Sequence, residues 1–311
     1  MLDVKRLRIL REVAARGSFS AAAEALFLSQ SAVSQHIATL EREVGMTLVE
    51  RTRQGPKLTP AGEVLVFHAN AAIARLEQAE RELAAIAGLE GGELRLASFP
   101  SASATLLTKA VSEFVNRYPR VRLSVAEAEP EESVPKIRAG ELDLALTFDY
   151  PSVPFADDRD VESTLLLTES MHVALPVDHP LAAEEKVDLA ALRDEAWLCG
   201  QCPSSCADAI KEACRAAGFE PRIAFQSDDY HVLQGFVAAN LGVTLLPDLA
   251  LPTLRDDIVV RPTDPPAAVR RVWATTRPAG ARSAATDAMR EILVEVGDAF
   301  ARSQGVLARA A

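Results

Sequence analysis

The chain has 311 residues, of which 49% are hydrophobic and 25% are charged, and its formal net charge at pH 7 is −11. This length allows two or three domains, and the composition is that of a folded globular protein rather than a disordered one. The N-terminal residues carry charges throughout, and the longest uncharged run, 230–247, contains polar side chains and a proline. These features argue against a signal peptide and against a membrane as partner, so we expect a cytoplasmic protein whose four cysteines are thiols.

The charge is distributed unevenly along the chain. Residues 1–60 contain nine Lys and Arg residues against six Asp and Glu residues, a local charge of +3, so residues 61–311 carry −14. A locally basic domain attached to an acidic body is compatible with binding of phosphates at one end of the protein only.

The first 60 residues have the periodicity of three short helices followed by a hairpin. Leu7, Leu10 and Val13 form one apolar face of the first helix, which is expected to end at Gly17. Ser29 is suited to cap the third helix, and a basic Gln-Gly-Pro turn between two strand-like pieces follows that helix. This order predicts a winged helix-turn-helix, in which the third helix enters the major groove of DNA and the wing contacts the backbone or the minor groove.

A resemblance to a known family is carried by residues 17–63, GSFSAAAEALFLSQSAVSQHIATLEREVGMTLVERTRQGPKLTPAGE. The Gly-Ser-Phe-Ser opening, the Ala-Ala pair, Ser-Gln-x-Ala-Val-Ser, Leu-Glu and the final Leu-Thr-x-Ala-Gly resemble the DNA-binding domain of the LysR-type transcriptional regulators. The resemblance and the basic wing together give the predicted DNA-binding residues: Ser18, Gln30, Ser31, Ser34, Gln35, Arg51, Arg53 and Lys57.

Two of these residues depart from the commonest pattern of the family. Ser31 stands where proline is frequent, and Gln35 stands where a basic residue is frequent. Because Gln pairs with adenine whereas Arg favours guanine, the departure at Gln35 affects the preferred bases rather than DNA binding itself. Outside this motif, exposed Ser and Gln side chains would simply be solvated. His36 is read as a surface or phosphate-contacting residue, because no second metal ligand lies at a suitable spacing.

A long helix is predicted over residues 61–90. Its first 28 residues would span roughly 42 Å, and apolar residues recur along it with a seven-residue repeat. An ordinary amphipathic helix is the alternative interpretation. The family resemblance implies a dimerising linker helix, so that a homodimer, and further a homotetramer, presents paired DNA-binding domains to a pseudo-palindromic promoter site. The repeat consists of Leu65, Ala69, Ala72, Leu76, Ala79, Leu83 and Ile86.

Beyond residue 92, strand and helix patterns alternate, which predicts an α/β region with largely parallel sheets. This region resembles the effector domain of the same family, which is similar to periplasmic binding proteins and holds a small molecule between two α/β lobes. The predicted fold class is therefore a multidomain α+β protein with a winged helix-turn-helix (1–60), a linker helix and a two-lobed effector domain. Lobe I is expected at 91–163 and 266–303, lobe II at 164–265, and a C-terminal tail at 304–311.

In such sheets, ligands bind where strands end and helices begin, and backbone N–H groups with serine hydroxyls suit a small anion. Each of these polar residues is equally suited to be a simple helix cap. The predicted effector-binding residues are Ser98, Pro100, Ser101, Ser103, Thr147, Phe148, Gln201, Ser204, Ser205, Ser227, Asp229 and Tyr230.

Several carboxylates lie near the same strand ends. If they face the cleft, they would repel a purely anionic effector and favour a zwitterionic or amine-bearing one. The residues concerned are Glu127, Glu129, Asp149, Asp228 and Asp229.

The four cysteines suggest an alternative in which the regulator responds to oxidants or to a metal. Cys199, Cys202 and Cys206 are spaced so that they can converge on a metal or exchange a disulfide. One zinc held by all four is excluded, because Cys206 and Cys214 would lie roughly 12 Å apart along one helix. Ordinary core and loop thiols are the preferred interpretation.

An enzyme is the alternative from another class. The sequence contains no Gly-x-Gly-x-x-Gly, P-loop, His-Glu-x-x-His or Gly-x-Ser-x-Gly motif, and its histidines are scattered. A transport-type binding protein would need an export signal and would not need a winged helix. We therefore expect no catalytic residues, no cofactor and no resident metal. The expected partners are double-stranded DNA, a small-molecule effector, further copies of the chain and RNA polymerase.

Overall fold

The computed structural model describes residues 2–52, 55–86, 92–153 and 160–307, without the side chains at 51, 77–78, 80–86 and 304–307. The chain divides into two compact units, one within residues 1–89 and 138–141 and the other within 90–137 and 142–311. None of the described helices is long and apolar enough to cross a membrane.

The N-terminal unit has the three helices and the hairpin that the sequence predicts. It consists of α1 (Val4–Arg16), α2 (Phe19–Ala25), α3 (Gln30–Val44), β1 (Val49–Thr52), β2 (Gly55–Leu58) and α4 (Pro60–Ile86). The serines at the starts of α2 and α3 accept hydrogen bonds from the third N–H beyond them. Gly17 and Gly45 end α1 and α3 in the left-handed conformation, as helix-terminating glycines do.

The apolar faces of these helices form one core, in which Leu10, Val33 and Leu40 are fully buried. The first turns of α4 also belong to this core through Ala69 and Ile73. The long helix thus packs in part on its own domain, and Ala69 of the seven-residue repeat is among the residues buried there. Farther along, Leu76 is exposed, while Leu83 and Ile86 lie outside the described side chains.

The second unit contains nine of the described strands and six of the described α-helices. The strands are β3 (Glu93–Ser98), β4 (Arg122–Glu127), β5 (Leu144–Asp149), β6 (Glu162–Pro176), β7 (Ala196–Cys199), β8 (Arg222–Gln226), β9 (Thr244–Pro247), β10 (Ile258–Arg261) and β11 (Val269–Thr276). The helices are α5 (Pro100–Ala102), α6 (Thr108–Arg117), α7 (Pro130–Arg138), α8 (Ser205–Ala216), α9 (Tyr230–Ala238) and α10 (Ala284–Leu307), and a π-helical segment, Ser103–Leu107, joins α5 to α6.

The strands form two sheets that share β6. In the first lobe the order is β4, β3, β5, β11 and the first part of β6. In the second lobe the last part of β6 lies between β9 and β10, and a bridge from Trp197 to Val243 attaches β7 and β8 beside β9.

The strand β6 is therefore one of the two connections between the lobes, and β11 follows the return connection. Ser170 is the last residue of β6 that pairs with β11, and Met171 is the first that pairs with β9. The lobe boundary expected at 163/164 lies inside this strand, and we propose that the change of lobe occurs between Ser170 and Met171.

The expectation of largely parallel sheets is wrong. β3 pairs in parallel with β4 and β5, and β7 pairs in parallel with β8. However, β6 and β11 pair antiparallel with each of their neighbours. The reason is that the strands serving the connections between the lobes run against the βαβ units on either side. The C-terminal helix α10 also extends to Leu307, beyond the expected limit at 303.

Candidate functional site

The N-terminal half of α3 presents a polar surface. Gln30, Ser31 and Gln35 are exposed, and Ser34 is half-buried. Gln30 Nε2 donates a hydrogen bond to Ser34 Oγ at 3.3 Å, and Ser31 Oγ lies 3.0 Å from Ser29 Oγ. These side chains supply the neutral donors and acceptors that can match base edges in a major groove.

The position of α3 relative to the hairpin is held by Glu41. Its Oε1 accepts the backbone N–H groups of Leu48, at 2.8 Å, and Val49, at 3.2 Å. The Leu-Glu pair thus has two structural roles: Leu40 is buried in the core, and Glu41 fixes the start of the wing.

The wing itself is described in part. Lys57 is exposed on β2 and lies opposite Glu50 in the register of the hairpin. The backbone of Arg51 pairs with Pro56, but its side chain lies outside the described side chains, and Arg53 lies outside the described residues. Ser18 Oγ accepts the N–H of Ala21 at 3.3 Å, so this residue caps α2.

The sequence reasoning missed Phe27, which is 96% exposed. It lies in the turn between α2 and α3 with φ of +53°, a conformation that non-glycine residues rarely adopt. The Leu28 N–H donates to Ala23 O and closes this turn. In the sequence, Phe27 looks like a continuation of the apolar run of α2, so hydropathy alone could not identify an exposed ring beside the start of α3.

The second unit contains a small cavity between its two lobes. Its volume is about 20 Å³, which is the space of roughly one water molecule. The first lobe contributes residues that follow β3 and β4 and residues within β5 and β11, and the second lobe contributes residues at or near the starts of α8 and α9 and from β9. The lining includes Phe99, Pro100, Glu129, Phe148, Gly200, Cys206, Ser227, Asp228, Tyr230, Thr244 and Arg270.

A buried ion pair lies beside this cavity. Arg270 on β11 and Glu169 on β6 are cross-strand partners, with 2.7 Å between Nε and Oε1. Arg270 Nη2 also donates to Ser101 Oγ at 3.0 Å, and the guanidinium lies 5.0 Å from the ring centres of Phe99 and Phe148. Burial raises the pKa of Glu169, whereas Arg270 and the Leu249 N–H, at 2.8 Å from Oε2, act in the opposite direction.

Two further carboxylates line the cavity. Burial raises the pKa of Glu129 to about 8, and the nearby charges of Asp228 and Glu131 act in the same direction. No described residue donates a hydrogen bond to the Glu129 carboxylate. Asp228 Oδ1 accepts the backbone N–H of Gln201 at 2.8 Å, and a Cβ at Gly200 would approach the same oxygen to 3.0 Å.

Two tyrosines surround Cys206 at the cavity. Its Sγ lies 3.6 Å from Tyr230 Oη. The hydroxyl of Tyr150 is buried and makes no hydrogen bond of good geometry among the described residues, although the Cys206 thiol is a weak partner and the charges of Arg270 and Tyr230 also influence it. Burial raises the pKa of both tyrosines well above the usual value.

One contact connects the lobes beside the cavity. Glu131, at the start of α7 in the first lobe, accepts the backbone N–H of Ser205 at 2.9 Å and its Oγ at 3.0 Å. Ser205 is the first residue of α8 in the second lobe, so the carboxylate also lies at the positive end of that helix. We call this contact the Glu131–Ser205 latch.

The predicted effector-binding residues fall into two groups. Pro100, Phe148, Ser227 and Tyr230 line the cavity, and Ser101 contacts the cavity residue Arg270.

The other predicted residues have contacts within the protein that involve their polar side chains, except for Gln201, whose contact is made by the backbone N–H. Ser204 and Asp229 cap α8 and α9, as the helix-cap alternative states. The remaining contacts are Ser98 Oγ to Phe99 O, Ser103 Oγ to Ser98 O, Thr147 Oγ1 to Thr275 Oγ1, Gln201 N to Asp228, and Ser205 to Glu131.

The five carboxylates that the sequence places near the strand ends have different surroundings in the structure. Glu129 and Asp228 line the cavity. Asp149 instead pairs with Arg271 at 2.6 Å and accepts the Trp273 indole N–H. Asp229 caps a helix, and Glu127 is exposed at the end of β4.

All four cysteines are free thiols. Cys202 is exposed and lies 3.3 Å from Lys211 Nζ. Burial raises the pKa of Cys199 to about 11 and that of Cys214 to about 12, and it also raises the pKa of Cys206. In the described part of the chain, no three His, Cys, Asp or Glu residues form a group that can hold a metal, so convergence of Cys199, Cys202 and Cys206 on a metal is not found.

Two family models match the chain. Residues 4–63 match the bacterial regulatory helix-turn-helix protein of the lysR family, and residues 87–298 match the LysR substrate binding domain.

Individual relatives match most of the length of the chain. The transcriptional dual regulator GltC of Bacillus subtilis is 29% identical over 79% of this chain and 81% of its own. A probable hydrogen peroxide-inducible genes activator of Mycobacterium avium is 34% identical over 79% of this chain and 78% of its own.

Solved structures agree with the fold. A full-length OxyR variant from Pseudomonas aeruginosa has a TM-score of 0.73 at 24% identity and covers 94% of this chain and 95% of its own. Full-length CbnR in complex with its target DNA has a TM-score of 0.64 at 23% identity and covers 95% of this chain and 100% of its own.

Proposed function

Since the chain belongs to the LysR family and is a transcriptional regulator with an effector-binding domain, we propose that it binds a pseudo-palindromic promoter site. Its mode of binding to that site changes when a small molecule enters the cavity. The observation that carries this proposal is the combination of a polar α3 surface in one unit with a cavity lined by both lobes in the other.

The proposed DNA-reading surface is the exposed side of α3. Gln30, Ser31, Ser34 and Gln35 contact base edges, while Lys57 and the arginines of the wing neutralise phosphates. The local charge of +3 in residues 1–60 supports this division, because the acidic total of the chain resides elsewhere. Phe27 adds an apolar contact beside the start of α3.

Effector binding requires the lobes to separate. A cavity of about 20 Å³ does not accommodate an organic molecule of several heavy atoms, so the cleft has to widen and the Glu131–Ser205 latch has to give way. The effector thereby shifts the population between two arrangements of the lobes, and paired copies pass this shift to their DNA-binding domains.

The remaining partners follow from the family. We propose that the chain forms a homodimer through α4, whose exposed apolar residues include Val64, Phe67 and Leu76, and that two dimers form a homotetramer. RNA polymerase is a further proposed partner. We also propose that the protein is cytoplasmic and has no enzymatic activity.

A redox-responsive regulator is the second candidate. Two observations favour it, the contact of Cys202 with Lys211 and the name of the Mycobacterium avium relative. The raised pKa values of Cys199, Cys206 and Cys214 oppose it, because the thiolate is the reactive form. We therefore place the small-molecule effector first.

The proposal is tested by electrophoretic retardation of the DNA that flanks the gene of this protein. The wild type is expected to retard this DNA, and a double variant, Gln30→Ala with Gln35→Ala, is expected to lose sequence preference while keeping salt-dependent binding. Gln35→Arg should change the preferred bases toward guanine. Asp257→Asn, in the effector domain, is the control. If the double variant keeps the wild type's preference for this DNA over random DNA, the proposed reading surface is contradicted.

A further inference from the structure

We propose that the effector carries an ammonium group, which binds in the cavity between Glu129 and Asp228. This inference rests on the proposed function of the cleft and specifies the chemistry of the molecule that the cleft accepts. The two carboxylates come from different lobes, since Glu129 precedes α7 and Asp228 precedes α9. A cation placed between them is therefore contacted by both lobes at once.

The charges around the cavity are unbalanced in favour of the acids. Glu129, Asp228 and the adjoining Glu169 face one guanidinium, that of Arg270. Arg270 is already occupied, because Nε pairs with Glu169 and Nη2 donates to Ser101. The rings of Phe99 and Phe148 lie 5.0 Å from its guanidinium carbon. Arg270 therefore does not need an anionic ligand, whereas Asp228, and Glu129 once it ionises, have no cation of their own in the lining.

The hydrogen-bonding groups at the cavity are also unsatisfied. No described residue donates to the Glu129 carboxylate, although much of this side chain is removed from solvent. Independently, the Tyr150 hydroxyl is buried, with 1% of the residue exposed, and makes no hydrogen bond of good geometry among the described residues; its partner there is the thiol of Cys206, a weak hydrogen-bonding group. Cys206 and Tyr230, which lie near it, both line the cavity. Buried polar groups without a good partner are uncommon in folded proteins, and a ligand that supplies N–H donors improves the hydrogen bonding of both.

The aromatic side chains that line the cavity also favour a cationic ligand. Phe99, Phe148 and Tyr230 contribute ring surfaces to the cavity, and such rings attract cations through their quadrupole. A primary ammonium has three donors, so it can reach a carboxylate from each lobe and a tyrosine oxygen. In the widened cleft, these bonds rather than apolar contact alone then hold both lobes to the ligand.

The state of Glu129 gives the inference a distinctive signature. Its raised pKa means that the carboxyl holds a proton near neutral pH, under the combined influence of burial, Asp228, Glu131 and Glu127 and against the pull of Arg270. Cys206 of α8 and Tyr230 of α9 are the other titratable groups in the lining. An ammonium ligand favours the ionised carboxylate, so binding releases a proton and the affinity rises with pH up to about 8. A carboxylate ligand would have the opposite dependence.

The test is calorimetric titration of the full chain with a matched panel. The probes are primary amines from methylamine to putrescine, the protein amino acids, and acetate, butyrate and succinate as carboxylate counterparts. We expect at least one amine or amino acid to bind, with protons released in a comparison of buffers of different ionisation enthalpy, and no carboxylate counterpart to bind. The plain amines and the zwitterions serve to show whether the ligand also needs a carboxylate.

Variants locate the site. Glu129→Gln and Asp228→Asn should each weaken the binding amine by about tenfold to a hundredfold, the usual range for a lost hydrogen bond to a charged group, and Glu129→Gln should abolish the proton release. Glu132→Gln is the control, because Glu132 lies in the first turn of α7, the helix that Glu129 precedes, and its side chain is 67% exposed. Circular dichroism establishes that each variant is folded.

Three outcomes overturn the inference: binding by carboxylates and not by amines, amine binding that both variants retain, and absence of binding by every amine and amino acid at millimolar concentration. In each of these cases, retention of promoter-specific retardation leaves the regulator proposal standing. Loss of that retardation in the wild type would instead contradict the proposed function itself.

Discussion

Glu169 and Arg270 are neighbours across the pair of strands that serve the two lobe connections, with 2.7 Å between Oε1 and Nε, and both side chains are almost completely buried. The pair lies next to the point at which β6 passes from the first sheet to the second. Two charges are therefore buried in the part of the effector domain that is strained when the lobes move. Buried pairs of this kind cost desolvation energy, and removal of one member leaves the other uncompensated.

We therefore expect Glu169→Gln to lower the free energy of unfolding by about 3–5 kcal/mol. The double variant Glu169→Leu with Arg270→Met should lose less than the sum of its two single variants, because neither charge is then left unpaired. Urea denaturation of the full chain, followed by circular dichroism, gives the unfolding free energies of Glu169→Gln, of Glu169→Leu, of Arg270→Met and of the double variant. Asp257→Asn is the control, since the Arg255–Asp257 pair is exposed and its loss should change the unfolding midpoint little. Strict additivity of the two single variants would contradict the coupling.

The second prediction concerns the pH dependence of stability. Burial raises the pKa of Glu129 to about 8, so the folded protein keeps this proton at pH values where the unfolded chain has lost it. The stability that Glu129 contributes is complete at low pH and falls as the pH rises from the usual carboxyl value toward about 8. Urea midpoints measured across this window should fall less steeply for Glu129→Gln than for the wild type. Parallel curves for the two proteins would mean that the Glu129 pKa is not raised.

How far the sequence leads can be judged from particular residues. The N-terminal helices were predictable because local signals agree: Ser29 caps α3, Gly45 ends it, and Val33, Ile37 and Leu40 share its inner face. In the effector domain, the strand ends pointed to Pro100 and Tyr230, since parallel βαβ units place helix starts at one edge of the sheet. These inferences need only short-range patterns.

The rest depends on contacts between distant parts of the chain. Glu169 and Arg270 are 101 positions apart, and in the sequence each is one charged residue within a strand, which predicts exposure rather than burial. The antiparallel course of β6 and β11 has no local signature either. Ser and Asp occur both in ligand-binding sites and as helix N-caps, so the sequence does not distinguish these roles for Ser204 and Asp229. The choice between the roles depends on where the helix axis points.

The third prediction is that the cysteines differ in their reactivity toward alkylation. Cys202 is exposed, whereas burial raises the pKa of Cys199 to about 11 and of Cys214 to about 12. Iodoacetamide at neutral pH should therefore alkylate Cys202 first, and mass spectrometry of digested protein identifies the site. Cys202→Ser should remove the fast phase of labelling and leave promoter binding unchanged. If Cys202→Ser or Cys206→Ser abolishes a peroxide-induced change in DNA binding, the redox interpretation replaces the small-molecule one.

The fourth prediction concerns the junction between the wing and α4. A Cβ at Gly62 would come within 2.1 Å of the carbonyl oxygen of Leu48, so the helix start approaches the strand too closely for any other residue. Thr59 fixes this approach, because its Oγ1 donates to Thr47 O at 2.8 Å and accepts the Gly62 N–H at 3.1 Å. Gly62→Ala should lower the unfolding free energy by about 1–3 kcal/mol, the usual cost of overpacking.

Promoter affinity should fall together with that loss of stability, since the displaced helix carries the wing with it. Gly235→Ala is the matched control: Gly235 lies inside α9 with nothing within 4 Å of an added Cβ, so alanine should be neutral or slightly stabilising there. A stable Gly62→Ala protein with unchanged promoter affinity would show that the backbone relaxes at no cost.

The last prediction tests Phe27 as a DNA contact. The ring is 96% exposed and is held outward by a left-handed backbone at the entrance to α3. In the major groove, an apolar side chain gains most against the methyl group of thymine, and burial of one methyl-sized group contributes about 0.8 kcal/mol, or roughly fourfold in affinity. Replacement of the promoter thymines by uracil should therefore weaken the wild type by about this factor at the contacted position, and it should leave Phe27→Ala unaffected. Met46→Ala, which removes another exposed apolar side chain of this unit, should remain as sensitive to uracil as the wild type. Equal sensitivity of Phe27→Ala and the wild type at every thymine would place Phe27 away from the bases and leave base recognition to the polar residues of α3.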